Sequence, residues 1–316
     1  MNLMKYRWLF VTLFLITMAA SLVSLGVFGL NRGIDFTGGT VIRYRLTKAE
    51  YDRVDTEKIK KLLTSGELAQ LRLKPGAPQP YQQRDVTTGR DIYGVIIRVR
   101  ALRGWNAQRA VLAALDREYG AAKEKPEIAV VDPVIGRETV RNAVMAVIIA
   151  SVLVMIYIGF RFEFKSGVAS IIAMLHDVIL VLGIFAAMGK EISASIIAAL
   201  LTIIGYSVND TIVVFDRIRE NKQNRRKGQG FDELVNESIL QTWRRSLNTG
   251  TSTMIALLVL YLLGAESIKE FCFALIVGIT SGTYSSIFVA SPLWAVWKTW
   301  EERRQLAGAR PAAATK

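Results

Sequence analysis

The sequence has few of the residues that build most catalytic and metal sites. Its 316 residues include one cysteine, Cys272, and one histidine, His176. A lone cysteine can form neither a disulfide within the chain nor a thiolate metal site. No nucleophile–base set, metal-ligand cluster or glycine-rich phosphate loop stands out elsewhere. The sequence therefore predicts no enzyme, no metal site and no cofactor.

Long apolar runs, in contrast, are abundant. The chain is 51% hydrophobic with a mean hydropathy of +0.29, more apolar than an ordinary soluble domain. A run of about 18 or more apolar residues is long enough to cross a bilayer. Six such runs predict transmembrane helices at about 8–30, 138–160, 167–188, 192–215, 248–265 and 271–297. The predicted fold class is thus a polytopic α-helical membrane protein, with the lipid bilayer as a partner.

Most of the excess basic residues, which give the chain its formal charge of +13, lie beside these runs. This placement is typical of a membrane topology signal, so the charge does not predict nucleic-acid binding. The basic residues precede the first run, separate the second from the third, crowd the loop after the fourth and follow the sixth. The loops at 189–192 and 264–270 are short and poor in lysine and arginine. The positive-inside rule then predicts that both termini face the cytoplasm. The first run is too long for a signal-peptide core and predicts an uncleaved anchor within residues 1–30.

One segment, residues 31–137, is soluble in character and would lie on the outer side. Its pattern predicts strands at 40–46, 91–101 and 127–131, helices at 56–69 and 106–119, and a Pro/Gly loop at 74–81. This β-α-β-α-β order indicates a small α+β module of ferredoxin-like type. The alternation around Ile97 and Val99 places Arg98 and Arg100 on the exposed face of their strand.

The remaining chain, 138–297, holds the second to sixth spans. Between the fourth and fifth spans, residues 231–246 place apolar side chains on one helical face. They predict an amphipathic helix along the cytoplasmic interface, or against a partner protein. Residues 298–316 form a cytoplasmic tail, and its Ala-rich end from residue 305 is predicted to be disordered.

Asp210 lies inside the fourth predicted span, about six residues before its basic end, and with the neighbouring Asn209 it is a candidate for a proton pathway. A carboxylate at that depth is costly and indicates a function, in this case proton or ion coupling. Arg244 and Arg245 lie at similar depth at the start of the fifth span, where one of them could pair with Asp210 or extend to the headgroups. The alternative is that Asp210 is a structural acid, hydrogen-bonded between helices.

Three further groups carry alternative interpretations. His176 and Asp177 in the third span could form a secondary proton relay or could fix helices to each other by hydrogen bonds. Gly278 and Gly282 form a G-x-x-x-G face that predicts close helix packing in the sixth span. The motif Asp35–Gly39, with Gly38 and Gly39, predicts a tight turn from the membrane into the first strand.

Several stretches together resemble the SecF members of the SecD/SecF family of bacterial protein-export proteins. They are DFTGG at 35–39, GFRFEFKSGVASIIAMLHDVIL at 159–180, GYSVNDTIVVFDRIREN at 205–221, RRSLNTGTST at 244–253 and GTYSSIFVASP at 282–292. They follow the family's order along nearly the whole chain. One departure is the segment 131–136, where the family pattern has a glycine before Pro133.

The resemblance implies six spans in the bacterial inner membrane with one periplasmic domain, half of a resistance-nodulation-division transporter. It implies pairing with SecD, association with the SecYEG channel and accessory subunits, and use of the proton-motive force to release unfolded exported polypeptides. The family's proton-pathway acid and arginine fall on Asp210 and Arg245; simple counting would also allow Arg244.

Two other functions are compatible with the residues. A proton-driven exporter of small molecules or lipids would belong to the same superfamily, but such pumps usually have twelve spans in one chain. A non-transporting scaffold would use the polar pairs only to fix helices together.

Overall fold

The computed structural model describes residues 2–71, 73–76, 78–84, 91–100, 102, 104–120, 126–131, 133–264 and 266–308. It consists of a bundle of long helices and a small α+β sheet unit, which confirms the predicted fold class. The helices are α1 (Arg7–Phe28), α2 (Ile34–Thr37), α3 (Lys48–Tyr51), α4 (Thr56–Thr64), α5 (Trp105–Tyr119), α6 (Pro133–Arg161), α7 (Phe164–Ala187), α8 (Ala194–Gln223), α9 (Phe231–Leu263), α10 (Glu266–Ser285) and α11 (Ser291–Gly308). The strands are β1 (Asn31–Arg32), β2 (Gly39–Leu46), β3 (Lys74–Pro75), β4 (Gln79–Arg84), β5 (Asp91–Arg100), β6 (Glu127–Val131) and β7 (Glu191–Ile192).

Six helical segments within the described residues are long and apolar enough to cross a membrane. In the segments formed by α7, by α8 and by α10 with α11, half or more of the most apolar stretch is buried inside the protein. In α1, α6 and α9 less than a fifth is buried. The first group therefore forms the centre of the bundle, and the outer three expose rows of large apolar side chains. Such a surface suits lipid or the spans of another subunit.

The fifth predicted span and the amphipathic helix at 231–246 are one helix, α9, so the prediction of a separate interfacial helix is wrong. The segment between them contains no proline, and nothing interrupts the backbone hydrogen bonds. The apolar face of the first turns packs on the bundle itself. Phe231 meets Trp294 edge to face at 5.7 Å, and the side chain of Asn236 accepts the Leu3 N–H at 2.7 Å.

The sixth span is also longer than predicted. A π-helical turn, Ser286–Ala290, joins α10 to α11, which continues to Gly308 through most of the predicted tail. Lys165 and Lys298 hold the start of this extension through the Glu301 carboxylate, at 2.6 and 3.5 Å. The predicted disorder at 305–308 is therefore wrong, and residues 309–316 lie outside the described part.

The sheet unit contains the three predicted strands, but its sheet has five. All its pairs are antiparallel, in the order β3-β5-β2-β6 with β4 also on β5. The additional strands β3 and β4 fall in the predicted Pro/Gly loop. Pro75 and Pro80 suit these positions because an edge strand does not need every N–H in the ladder. Helices α4 and α5 cover one face of the sheet, with Ile59, Leu63 and Leu115 fully buried.

The segment around Pro133, where the family pattern expects a glycine, connects the sheet to the bundle directly. Strand β6 ends at Val131 and α6 begins at Pro133, and residue 132 is outside the described part. A proline at the first helical position has no N–H to lose and a φ angle already suited to a helix.

Gly278 lets α10 approach α8 closely. A Cβ atom at this position would lie 2.2 Å from Cδ1 of Ile203, and one at Gly282 would lie 3.3 Å from Cβ of Ser207. The G-x-x-x-G face thus lies against α8. By contrast, a Cβ at Gly205 of α8 would meet nothing within 4 Å.

We expect Gly278→Ala to destabilise the bundle by about 1–3 kcal/mol, because Ile203 must leave its packed position. Gly205→Ala is the matched control and should be neutral or slightly stabilising, since alanine favours a helix. Thermal unfolding of both variants in one detergent checks this. Equal midpoints for the two would show that the α8–α10 contact is not close-packed.

The Glu163 carboxylate connects the turn between α6 and α7 to α8 and α11. It lies in the turn between α6 and α7, 2.6 Å from Lys222 Nζ and 3.4 Å from Lys298 Nζ. Burial alone would raise the pKa of Glu163, but the two ammonium groups outweigh burial and lower it. A lowered pKa stabilises the fold above the ordinary glutamate pKa, and this stabilisation is lost as pH falls through the folded value.

Glu163→Gln should therefore reduce stability at neutral pH by about 1 kcal/mol or less, given the partial exposure of the carboxylate. The difference from wild type should stay constant down to about pH 4.5 and shrink below it. Thermal unfolding at several pH values measures this. A difference that instead grew on acidification would contradict the assigned ion pairs.

Candidate functional site

Asp210 lies in α8 and is buried, with 3% of its surface exposed. It is six residues before Asp216, hence roughly 9 Å along the helix from the charged end. Its Oδ2 atom has no hydrogen-bond partner. A buried carboxylate oxygen without a partner carries the full cost of desolvation when ionised. Taking up a proton relieves this cost.

Two residues of α9 act on the Asp210 carboxylate. Ser246 faces it with a buried hydroxyl that has no hydrogen-bond partner, and Arg245 is the cation whose charge attracts it. Among the described residues Asp210 forms no ion pair, so Arg245 acts at a distance. Arg244 and Arg245 are both exposed on α9, and Arg245 is the one whose charge acts on the carboxylate. The structure thus places Arg245 near enough for its charge to act on Asp210 across the α8–α9 contact.

Further polar atoms lie between α8, α9 and α10, on the side of Asp210 toward the start of α8. The Tyr206 hydroxyl lies one turn earlier on α8, and the Thr283 hydroxyl faces it from α10; both are buried without partners. A Cβ at Gly250 of α9 would lie 3.2 Å from Thr283 Oγ1 and 3.8 Å from the Tyr206 oxygen. These groups could hold water or pass a proton. Sequence reasoning missed them, although the four-residue spacing of Tyr206 from Asp210 places both on one face.

Asn209, predicted to belong to the proton pathway, is exposed on another face of α8. It belongs to one of two polar stripes. The first consists of Thr202, Gly205 and Asn209 on α8, and the second of Arg245, Asn248 and Ser252 on α9; all six residues are exposed. Their spacing of three and four residues places each set on one helical face. Thr202 and Ser252 donate to backbone carbonyls of their own helices, but the exposed side chains of Asn209, Arg245 and Asn248 are costly in lipid and require a protein or water neighbour.

His176 and Asp177 lie apart from this site, in a saturated hydrogen-bond node. Asp177 Oδ1 accepts from Ser281 at 2.6 Å, and Oδ2 accepts from Ser207 and Ser285, each at 2.8 Å. His176 Nδ1 lies 3.3 Å from Asp177 Oδ1.

The other side of the histidine is equally occupied. His176 Nε2 is 2.8 Å from the Thr17 hydroxyl, and the ring stacks on Phe14 at 4.4 Å. The node therefore ties α7 to α1, α8 and α10. This geometry fits the hypothesis that the pair fixes helices, and its role as a secondary relay stays a prediction.

The two buried aspartates should respond oppositely to the same substitution. Asp177→Asn places an amide donor among hydroxyl donors and should destabilise the bundle by about 1–3 kcal/mol. Asp210→Asn removes a charge that lacks a partner and should stay within about 1 kcal/mol of wild type or exceed it. Thermal unfolding at neutral pH compares them. A larger loss at Asp210 would mean that its carboxylate is a structural bond.

The Asp35–Gly39 motif makes a turn that also reaches the bundle. Gly38, with φ of 68°, adopts the left-handed conformation that favours glycine, and β2 starts at the next residue. Asp35 Oδ2 accepts the backbone N–H of Ala194, the first residue of α8, at 2.9 Å. Sequence reasoning found the turn but not this contact.

No group of three or more potential metal ligands occurs among the described residues.

Two family models match the chain. Residues 111–300 match the family described as protein export membrane protein SecD/SecF, C-terminal, and residues 23–50 match the SecD/SecF GG motif.

Curated relatives and solved structures give the same result. The protein translocase subunit SecF of Alicyclobacillus acidocaldarius is 37% identical, over 97% of this chain and 95% of its own length. The translocase subunit SecDF of Bacillus subtilis is 35% identical over 96% of this chain, which spans 39% of that protein. The crystal structure of SecDF from Thermus thermophilus, described as a translocon-associated membrane protein, matches 94% of this chain with a TM-score of 0.79 and 35% identity. The chain spans 38% of that structure.

Proposed function

This chain belongs to the SecD/SecF family of protein-export membrane proteins, and from that premise we propose that it couples proton movement at Asp210 to export. It is a multi-pass membrane subunit of the Sec protein-export machinery. With SecD it would use the proton-motive force to promote translocation and release of unfolded polypeptides on the periplasmic side. The observation that carries the proposal is the buried Asp210 carboxylate, with an unpartnered oxygen opposite Arg245.

The mechanism has two states. With Asp210 ionised, the attraction of Arg245 holds α8 and α9 in one arrangement; protonation removes it, and the helices repack. A proton crossing 100 mV supplies about 2.3 kcal/mol, which biases a two-state equilibrium roughly fiftyfold. The repacking would move the sheet unit relative to the membrane. In this mechanism the chain itself supplies the Asp210 carboxylate, the positive charge of Arg245 and the nearby hydroxyls of Tyr206 and Thr283. No cofactor takes part.

Association with SecD follows from the relatives in which both are one chain. The two polar stripes support it, because exposed Asn209, Arg245 and Asn248 on spanning helices require a polar neighbour. We place the partner's spans over these stripes, and propose contact with the SecYEG channel for the assembled pair. The lysine and arginine pattern supports cytoplasmic termini in a bacterial inner membrane, with the sheet unit in the periplasm.

Relatives of this chain are named as translocase subunits, which places it in a transport family. We infer that it has no enzymatic activity of its own.

Asp210→Asn should abolish the gradient-dependent part of export and leave assembly with the partner subunit intact, because it removes the proton and not the packing. The measurement is release of an exported reporter from spheroplasts or inverted vesicles, with and without a proton gradient. Asp216→Asn is the matched control. It lies on the same helix, but its carboxylate is exposed and pairs with Arg161 at 3.0 Å, so the gradient effect should survive.

Equal gradient-dependent release from wild type and Asp210→Asn would show that Asp210 is not the coupling group. Exchange of the two charges, Asp210→Arg with Arg245→Asp, then separates the remaining alternatives. A scaffold that needs only their attraction should tolerate the exchange, whereas a proton carrier at Asp210 should lose gradient dependence.

A further inference from the structure

The start of α8 is bound to the segment that leads from α1 into the sheet unit. Strands β1 and β7 form a short parallel pair with Asn31 opposite Glu191. The Gly33 N–H donates to the Ile192 carbonyl at 2.8 Å, and a Cβ at Gly33 would lie 2.8 Å from that oxygen. No side chain fits between the two segments there.

Asp35 supplies the helix cap that α8 lacks locally. Ser193, at the N-cap position, makes no side-chain capping bond, and Ala194 N–H instead donates to Asp35 Oδ2 at 2.9 Å. A carboxylate at a helix N-terminus also meets the positive end of the helix dipole. Asp35 lies four residues before Gly39, where β2 begins, so the cap joins α8 to the central part of the sheet almost directly.

A second contact connects the same end of the bundle with β5. Arg98 Nη1 donates to Gln79 Oε1 at 2.6 Å and lies 3.8 Å from Glu191 Oε2. Both partners of this ion pair are mostly buried, with 24% and 17% of their side chains exposed. Arg98, predicted on the exposed face of its strand, is therefore largely covered by this contact. Its guanidinium lies over the loop between α7 and α8.

Helix α8 carries both this junction and the proton site. Asp210 is 16 residues after Ala194, which is roughly 24 Å along a continuous helix. The other covalent connection of the sheet to the bundle, from β6 into α6, reaches a peripheral helix that carries neither Asp210 nor Asp177.

We propose that Asp35, Arg98 and Glu191 form an outer latch, which transmits displacement of α8 to the sheet unit. The three are positioning residues. None of them contacts Asp210, and together they connect the start of α8 to the strands of the sheet unit. This inference rests on the proposed function, because it requires α8 to move when Asp210 changes its protonation state. The inference adds to the proposed function the residues that transmit the movement of α8 to the sheet unit.

The test is a distance measurement between spin labels in the assembled complex with the partner subunit. Labels are placed at Lys60→Cys on α4 and Leu263→Cys at the outer end of α9, both exposed, in a Cys272→Ala background. The distance is compared between chains with Asp210 and with Asp210→Asn, which imitates the protonated state. With the latch intact, Asp210→Asn should shift the distance distribution.

In Asp35→Ala the shift should be lost, and in Asp35→Asn it should return, because asparagine also accepts the Ala194 N–H. Asp55→Ala is the matched control. It removes the cap of α4, where Asp55 Oδ1 accepts from Glu57 N at 2.9 Å, but leaves the latch untouched, so the shift should persist. If Asp35→Ala does not assemble, Glu191→Gln, which loses the charge facing Arg98, should reduce the shift in its place.

Two results would overturn the latch. A shift that remains in both Asp35→Ala and Glu191→Gln would show that the sheet unit moves through another connection, and would leave the proposed function standing. No shift with the latch intact would mean that the state of Asp210 does not move the sheet unit. Gradient-dependent release measured on the same chains then shows whether Asp210 couples export at all.

Discussion

An ionised carboxylate in the hydrocarbon layer must be satisfied or neutralised, and the bundle resolves this requirement in two opposite ways. Asp177, at 0% exposure, receives three serine hydroxyls that give both of its oxygens a hydrogen-bond partner. Asp210, at nearly the same burial, keeps one oxygen without a partner. The first arrangement favours a single state, while the second suits the two states of the proposed mechanism. Rigidity and switching are therefore assigned to different helical contacts.

This division determines which helices can move. Asp177 ties α7 to α8 and α10, and Gly278 packs α10 directly on Ile203 of α8, so these three should move as one body. The contact of α8 with α9 contains the unpaired groups at Asp210 and Ser246. When the charge of Asp210 changes, few hydrogen bonds at this contact have to break before the two helices can move. The repacking is thus expected between α9 and the central helices.

Sequence patterns predicted the elements with strong one-dimensional signals. The six spans follow from their apolar runs, and Asp210 follows from a charge inside such a run. Patterns failed where distant residues decide. The polar segment around Arg244 predicts a break between two helices, although α9 is continuous. The prolines of β3 and β4 predict a loop, because the sequence does not show that these residues pair with β5. Asp35 caps a helix 159 residues later, a contact that no local pattern contains.

The size of the proton's contribution explains why the outer latch needs several members. A single capping bond contributes about 1 kcal/mol, less than the roughly 2.3 kcal/mol that one proton supplies across 100 mV. The hydrogen bond between Asp35 and Ala194 alone would therefore break before the sheet unit moved. The paired backbones of β1 and β7, the Gly33 bond and the mostly buried Arg98–Glu191 pair add to the Asp35 cap. Acting at the same junction, these contacts together resist displacement more strongly than the Asp35 cap alone.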